Sequence, residues 1–216
     1  MKRLLALLLL LPLFAHAESF FQVEAGLGMS YTKTLGDGTW YQLGVPHEVR
    51  TYSPAFIIGV TGSVYSTGNF DVRYHLDYNF LGTQQASCVC VPDSEYNPHA
   101  HTASRAGYIP FSGGGFIHGV SLTLEPGYTY RGYRIGVEAG PFLFWDIWHE
   151  SRFDPAYPTQ NDLSHRAVAQ LGYVAGASIS RGPLSLRYRY YAEPQKWNPY
   201  PGLAHGTHML LVTYIF

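Results

Sequence analysis

Residues 70–80, Phe-Asp-Val-Arg-Tyr-His-Leu-Asp-Tyr-Asn-Phe, alternate without a break between two kinds of side chain. One parity carries only aromatic and aliphatic residues, and the other carries Asp71, Arg73, His75, Asp77 and Asn79. Because successive side chains of an extended strand point to opposite sides, this pattern predicts a β-strand with one apolar and one charged face. A soluble protein would bury the apolar face, whereas a membrane barrel would turn it to lipid and bury the charges.

Seven further segments alternate in the same way. Eleven charged residues fall in the eight segments, and all lie on the face opposite the large apolar residues. A shift of one residue would exchange the two faces of a segment, so the shared arrangement indicates one charged interior. The predicted strands are residues about 20–30, 55–66, 70–80, 116–130, 133–144, 166–180, 184–193 and 207–216.

Alternation fits a soluble, lipocalin-like barrel as well as a membrane barrel, but the connections differ between these classes. Long connections at about 31–54, 81–115, 145–165 and 194–206 alternate with tight turns at 67–69, 131–132 and 181–183. Short periplasmic turns and long outer loops are typical of membrane barrels. The charged face is also rich in Gly, Ser and Thr, which suit the narrow interior of eight strands. The sequence therefore predicts an all-β fold, an eight-stranded antiparallel transmembrane β-barrel.

The beginning of the chain has the organisation of a secretory signal peptide, predicted over residues 1–17. Lys2 and Arg3 precede an apolar run of 11 residues, and Ala15-His16-Ala17 fits a cleavage site. The run is too short to cross a bilayer as a helix. The predicted barrel domain comprises residues 18–216.

Composition agrees with this class. Charged residues make up 13% of the chain, against roughly 25% in a typical soluble domain. Beyond the signal no apolar run reaches about 18 residues, so no membrane helix is expected. Without Lys2 and Arg3, the 14 basic residues become 12 against 15 acidic residues, a net charge of −3. This balance offers no general attraction for nucleic acid.

The last strand, His208-Met-Leu-Leu-Val-Thr-Tyr-Ile-Phe216, places apolar residues at 210, 212, 214 and 216. It resembles the C-terminal assembly signal of bacterial outer-membrane proteins. The chain as a whole resembles the small eight-stranded outer-membrane barrels: the outer-membrane protein A membrane domain, the Ail/Lom type and the opacity type. The resemblance implies a location in the cell outer membrane, contact with its lipid and lipopolysaccharide, and recognition of the last strand by the barrel-assembly machinery.

The predicted interior is a network of ion pairs, because an unpaired buried charge is costly and acids and bases are nearly equal in number. The alternative is that these groups form a proton or ion path. The predicted network comprises Glu24, Asp71, Arg73, His75, Asp77, Glu125, Arg134, Glu138, Arg166, Arg187, Arg189 and Glu193.

Barrels of this size include lipid A-modifying enzymes, which form the alternative interpretation of function. The deacylase type carries a His-x-Ser-Asn motif near its seventh strand, where this chain has Tyr190 and Ala192 in place of His and Ser. The acyltransferase type has an amphipathic helix before the first strand, for which this chain has no room. His118 and Ser121 fall on opposite faces of a strand, and His208 falls on the lipid face. We therefore expect no enzymatic activity and no cofactor.

The second long connection holds the two cysteines, Cys88 and Cys90, followed by His99 and His101. Thiolates and imidazoles suit borderline metals, so a metal site is one interpretation. A disulfide, free thiols and intermolecular pairing are the others, since a bridge between positions i and i+2 is strained.

The long connections are rich in aromatic residues, which serve either as an interfacial girdle or as a binding surface. We expect a barrel that displays surface loops for adhesion, host interaction or shielding, with an extracellular protein as a possible partner. The aromatic residues of these connections are Trp40, Tyr41, Tyr96, Tyr108, Trp148, Tyr157, Trp197 and Tyr200.

Overall fold

The computed structural model describes residues 21–33, 39–42, 45–50, 52–90, 96–97, 102–103, 109–154, 157–166, 169–192 and 206–216. The predicted signal peptide lies outside them and stays a prediction. Among the described residues, no helix is long and apolar enough to cross a bilayer. The strands are β1 (Gln22–Lys33), β2 (Thr39–Gln42), β3 (Val45–Arg50), β4 (Tyr52–Thr67), β5 (Phe70–Cys90), β6 (Tyr96–Asn97), β7 (Thr102–Ala103), β8 (Ile109–Tyr130), β9 (Tyr133–Asp154), β10 (Tyr157–Arg166), β11 (Gln170–Arg181), β12 (Leu184–Ala192) and β13 (Gly206–Ile215).

Eight of these strands close a barrel. Neighbours pair antiparallel in the order β1, β4, β5, β8, β9, β11, β12 and β13, and β13 returns to β1 with Leu27 opposite Val212. Closure leaves no free edge in the membrane-spanning part, where unpaired backbone groups would be costly. The prediction of an eight-stranded antiparallel barrel is confirmed.

The three tight connections lie where the sequence predicts them. Glycines with positive φ occupy each of them: Gly68 at 56°, Gly132 at 80° and Gly182 at 59°. Glycine adopts this region without the steric cost that a Cβ atom brings. These turns mark the periplasmic end of the barrel, because membrane barrels have short periplasmic and long outer connections.

The two faces of the strands point as predicted for a membrane barrel. Leu76 is 44% exposed, whereas His75 is 1% and Asp77 0% exposed. The same division holds along β13, where Leu210, Val212 and Tyr214 are exposed and the residues between them are buried. The continuous apolar face is therefore the outer surface, and the charges lie in the interior.

The prediction was wrong about the upper strand ends. Residues 81–90 continue β5, and β8 begins at Ile109, so much of the predicted 81–115 connection is a paired ribbon with Cys90 opposite Ile109. Likewise, β9 runs to Asp154 and β10 returns beside it through the predicted 145–165 connection. Strict alternation ends at Phe80 because of an irregularity in β5, so the sequence pattern there no longer indicates a strand.

That irregularity is a β-bulge at Leu81 and Gly82. Phe80 pairs with His118 and Gly82 with Ile117, so Leu81 is the extra residue. Gly82 has a φ of 98°, and a Cβ atom on it would lie 2.6 Å from the Cβ atom of Ser53. Leu81 continues the odd buried positions, whereas Gly82 and Gln84 are buried beyond it, so the buried parity of β5 changes from odd to even at the bulge.

Candidate functional site

The barrel interior gathers charged side chains from five strands. Inward positions spaced by two residues supply them, as on His75 and Asp77 of β5 and Arg187 and Arg189 of β12. Of the predicted network, the buried members are Glu24, His75, Asp77, Glu125, Arg134, Glu138, Arg187 and Arg189. We call these eight residues the charged cluster.

Arg189 makes the most extensive contacts of the cluster. Its Nε donates to Glu138 Oε1 at 2.8 Å and its Nη2 to Glu138 Oε2 at 2.8 Å, a two-pronged pair. The same Nη2 donates to Asp77 Oδ2 at 2.7 Å, and Nη1 donates to Asn79 Oδ1 at 3.2 Å. Arg189 is fully buried, so it links two carboxylates on β5 and β9 away from solvent.

Arg187 lies among three glutamates. Its Nη1 is 2.9 Å from Glu24 Oε1, its Nη2 3.5 Å from Glu125 Oε2 and its Nε 3.7 Å from Glu138 Oε1. Nη1 and Nε are poorly aligned for hydrogen bonds, so these contacts are mainly electrostatic.

His75 lies between two of the same glutamates. Nδ1 is 2.8 Å from Glu24 Oε2, and Nε2 is 3.2 Å from Glu125 Oε2. Together with Asp71 and Arg73, the charged cluster contains five carboxylates and four guanidinium groups. Asp146 on β9 is a further buried carboxylate of the interior.

Asp71 and Arg73 extend the cluster toward the periplasm. Arg134 donates through Nε to Asp71 Oδ1 at 2.8 Å and through Nη1 to Glu125 Oε1. Arg73 Nε donates to Asp71 Oδ2 at 2.9 Å, and its side chain is 30% exposed. Asp71 is therefore held by two guanidinium groups, of which only that of Arg134 is buried.

An aromatic layer covers the extracellular side of the charged cluster. Phe142 and Phe144 stack at 5.4 Å, and the Tyr191 ring meets Phe142 edge-on at 4.8 Å. The Tyr191 hydroxyl donates to Asn79 Oδ1 at 2.7 Å, which joins the two layers. The sequence pattern predicted small residues beside the charges. The shared parity of Phe142, Phe144 and Glu138 on β9 was the signal that places these rings in the interior.

Two trios of the cluster have the composition of a metal site. The donor atoms of Glu24, His75 and Asp77, and those of His75, Glu125 and Glu138, lie within 4.8 Å of one another. Each carboxylate already contacts a guanidinium group or His75. The geometry is therefore that of an ion-pair network, in which arginines occupy the place a cation would take.

The outer surface carries aromatic rings near both ends of the barrel, as interfacial girdles do. In the lower girdle, Tyr65 contacts Phe70 at 6.3 Å and Tyr214 contacts Phe216 at 4.9 Å. In the upper girdle, ring contacts run through Phe56, Phe80, Phe116, His118 and Trp145, and through Tyr52, Tyr31, His208, Tyr188 and Tyr190.

Both lipid-face histidines belong to the upper girdle. His118 Nδ1 is 3.2 Å from the Tyr78 hydroxyl, and His208 Nδ1 is 2.7 Å from the Tyr188 hydroxyl. Ser121 lies on the opposite face from His118, fully buried, and its hydroxyl accepts a hydrogen bond from Asn79 at 2.9 Å. No His–Ser pair is formed between these two residues.

The remaining predicted site residues fall elsewhere. The structure places Arg166 at the end of β10, paired with Ile147 on β9, rather than in the sixth barrel strand, which begins at Gln170. Ala169 belongs to neither strand, which the alternating sequence did not indicate. Cys88 and Cys90 lie in β5 opposite Phe111 and Ile109 of β8, with their side chains outside the described part. His99, His101 and Glu193 lie outside the described residues.

Neither a protein-family model nor a curated protein sequence matches the chain. Among solved structures, Ail, the attachment invasion locus protein of Yersinia pestis, is 13% identical with a TM-score of 0.48, over 92% of this chain and 99% of that chain. The outer membrane protease OmpT of Escherichia coli is 8% identical with a TM-score of 0.45, over 93% and 98%. Neisserial surface protein A is 12% identical with a TM-score of 0.37, over 90% and 95%.

The architecture is established by the pairing and burial of this chain itself. A closed antiparallel barrel buries its charges, exposes an apolar belt and carries aromatic rings near both ends of that belt. These are the properties that a bilayer imposes on a strand-built membrane protein. The chain is an eight-stranded β-barrel of the bacterial outer membrane.

Proposed function

We propose that the protein is a closed outer-membrane barrel that mounts an extracellular β-sheet for contact with a partner outside the cell or for shielding the surface. The observation that carries this proposal is the length of three neighbouring strands. β5, β8 and β9 have 21, 22 and 22 residues, whereas a membrane-spanning strand needs about 9–11. About half of each strand therefore extends beyond the bilayer.

These extensions form one continuous structure, here called the outer sheet. It comprises β2, β3, the upper parts of β5, β8 and β9, and β10, in the order β2, β3, β5, β8, β9, β10. Among the residues that the structure describes, it rises above one side of the barrel, because β11, β12, β13 and β1 are at most 12 residues long. Ordered ribbons of this length exceed what closure of a hairpin requires, which supports a role in recognition.

Several of the aromatic residues considered in the sequence lie on these ribbons. Trp40 and Tyr41 are in β2, Trp148 is in β9 and Tyr157 is in β10. Tyr and Trp supply large contact areas at low entropic cost and are enriched in binding surfaces. The outer sheet therefore has the residue types that protein recognition uses.

The filled interior favours a structural scaffold for the outer sheet over a channel. The charged cluster and the aromatic layer fill successive levels of the lumen, and an eight-stranded barrel is only just wide enough for its side chains. The same proposal includes recognition of β13 by the barrel-assembly machinery, as β13 closes the barrel between β12 and β1. It also includes contact of the apolar belt with outer-membrane lipid and lipopolysaccharide.

Shortening the outer sheet tests the proposal. One variant joins Ala86 to Gly113 by an Asn-Gly turn, and a second joins His149 to Ser164 in the same way; both pairs are opposed in the ladders. We expect both variants to fold and to migrate heat-modifiably in detergent gels, while binding is lost. Binding would be screened with the refolded barrel against lipopolysaccharide, host matrix proteins and serum components.

The matched control is the double variant His118→Ala and His208→Ala, which removes both histidines of the upper girdle but leaves the outer sheet intact. We expect it to bind like the unaltered protein. The rival function is a lipid-acting enzyme, for which the two Tyr–His pairs on the lipid face are the supporting observation. Altered lipid A acylation in expressing cells, lost in the histidine variant, would establish the enzyme instead.

Planar-bilayer recordings test the closed interior. We expect no stable, porin-sized conductance steps, because the charged cluster and the aromatic layer block the lumen at two levels. The variant Phe142→Ala should also remain closed, since the charged cluster stays in place below it. Large, reproducible openings of the unaltered protein would show that the lumen is a water path.

A further inference from the structure

A groove of about 250 Å³ lies on the outer surface at the periplasmic end of the barrel. Its walls are the exposed side chains of Ile179 on β11, Leu184 and Leu186 on β12, and Val212 on β13. The groove therefore opens toward the hydrocarbon of the periplasmic leaflet, at the level of the lower girdle.

Arg181 lies at one end of this groove, beside Tyr133. Its guanidinium carbon is 5.1 Å from the centre of the Tyr133 ring, and Nη1 donates to the Tyr133 hydroxyl at 3.2 Å. Within the described part of the chain, Arg181 contacts no carboxylate, in contrast to the arginines of the charged cluster. Its ring contact holds the guanidinium group in place and leaves other N–H groups available to a ligand.

A second arginine lies at the same, periplasmic end of the barrel. Arg131 occupies the turn between β8 and β9 with a φ of 50°. Residues other than Gly and Asn rarely adopt this backbone conformation. Its guanidinium carbon is 5.2 Å from the centre of the Tyr130 ring. Tyr130 pairs with Tyr133 across this turn, so the two arginines flank two adjoining rings at the membrane interface.

We propose that the groove, together with Arg181 and Arg131, is a binding site for one glycerophospholipid with a net negative headgroup. An acyl chain would fill the groove between Ile179, Leu186 and Val212, and the phosphate would bind Arg181, with Arg131 adding to the positive charge. A guanidinium group binds phosphate through paired hydrogen bonds. Arg181 lines the same groove as the apolar side chains, as binding of the phosphate and an acyl chain of one phospholipid requires. The site lies at the opposite end of the barrel from the outer sheet and is independent of its function.

Native mass spectrometry of the detergent-solubilised full barrel tests the site, with phosphatidylglycerol and phosphatidylcholine as probes. We expect one phosphatidylglycerol to be retained more strongly than phosphatidylcholine, and inorganic phosphate not to compete. Arg181→Gln should reduce the retained fraction about tenfold, the loss expected for a charge-assisted phosphate contact. Ile179→Trp should reduce it similarly by filling the groove.

The matched control is Ile58→Trp, a change of the same size on the exposed face of β4, away from the groove. All three substitutions are at exposed positions, and heat-modifiable migration would verify folding. Ile58→Trp should retain lipid like the unaltered barrel. Equal retention of the two lipids, or retention by Arg181→Gln and Ile179→Trp at the unaltered level, would overturn the proposal.

Discussion

Replacing Arg189 by methionine is expected to lower the free energy of unfolding by about 3–5 kcal/mol. Arg189 is fully buried and pairs with Glu138 and Asp77 while also donating to Asn79. Its removal leaves carboxylates in the barrel core without their principal counterion, and the interior cannot supply water in place of the lost donors. A long apolar side chain keeps most of the volume, so the loss measures charge rather than a cavity.

Urea titration of the refolded barrel in lipid vesicles would measure this change. Arg73→Met is the matched control, because within the described part of the chain Arg73 pairs only with Asp71. Arg73 is also partly exposed, and its removal leaves Asp71 in contact with Arg134. A partly exposed pair of this kind contributes at most about 1 kcal/mol. Equal losses for Arg189→Met and Arg73→Met would contradict the assignment of Arg189 as the main counterion of the core.

Replacing Leu76 by arginine is expected to destabilise the barrel by about 2–4 kcal/mol. Leu76 is exposed on the outer surface and lies midway along the stretch between Phe70 and Phe80, near the middle of the bilayer. A guanidinium group there must either enter hydrocarbon or reach for the interface, and each alternative is costly.

The same unfolding titration applies, with Tyr130→Arg as the control. Tyr130 is equally outward-facing but lies in the lower girdle, where an arginine costs only about 0–1 kcal/mol. If Leu76→Arg folded as stably as the unaltered protein, the outer face of β5 would not be in contact with hydrocarbon.

The faces of the strands were predictable from the sequence because the side-chain period of a strand is a local property. In β5 and β12 two charges spaced by two residues fix the parity, as Asp77 with His75 and Arg189 with Arg187 illustrate. The tight turns were equally predictable, since Gly68, Gly132 and Gly182 supply the positive φ that each turn needs. Local rules of this kind hold whichever strands become neighbours.

The upper strand ends were not predictable in the same way. The bulge at Leu81 and Gly82 shifts the parity of β5. The alternating pattern therefore ends at the bulge, although the strand itself continues to Cys90. What holds these residues extended is the ladder to β8, whose own glycines at 113, 114 and 115 carry no strand signal. Pairing with a neighbour, rather than propensity, decides the structure there.

The partners inside the barrel depend on the register between strands. In the sequence, Arg73 lies within four residues of both Asp71 and Asp77 and shares their face, yet in the structure Asp77 pairs with Arg189, 112 residues away. Which charges meet depends on how all eight strands are staggered around the barrel, and alternation carries no information on stagger. The aromatic layer of Phe142, Phe144 and Tyr191 could not be predicted for the same reason, because the stagger of the strands sets its height in the lumen.

The sequence by itself therefore determined which side of each strand meets lipid, because the pleat repeats every two residues and a bilayer tolerates only the apolar side. Only the tertiary structure decided that Arg189 pairs with Glu138 and Asp77. It also decided that aromatic rings lie above the charges and that Arg181 lies at the end of an apolar groove. These depend on contacts between strands distant in the chain, and closure of the barrel with one particular stagger brings them together.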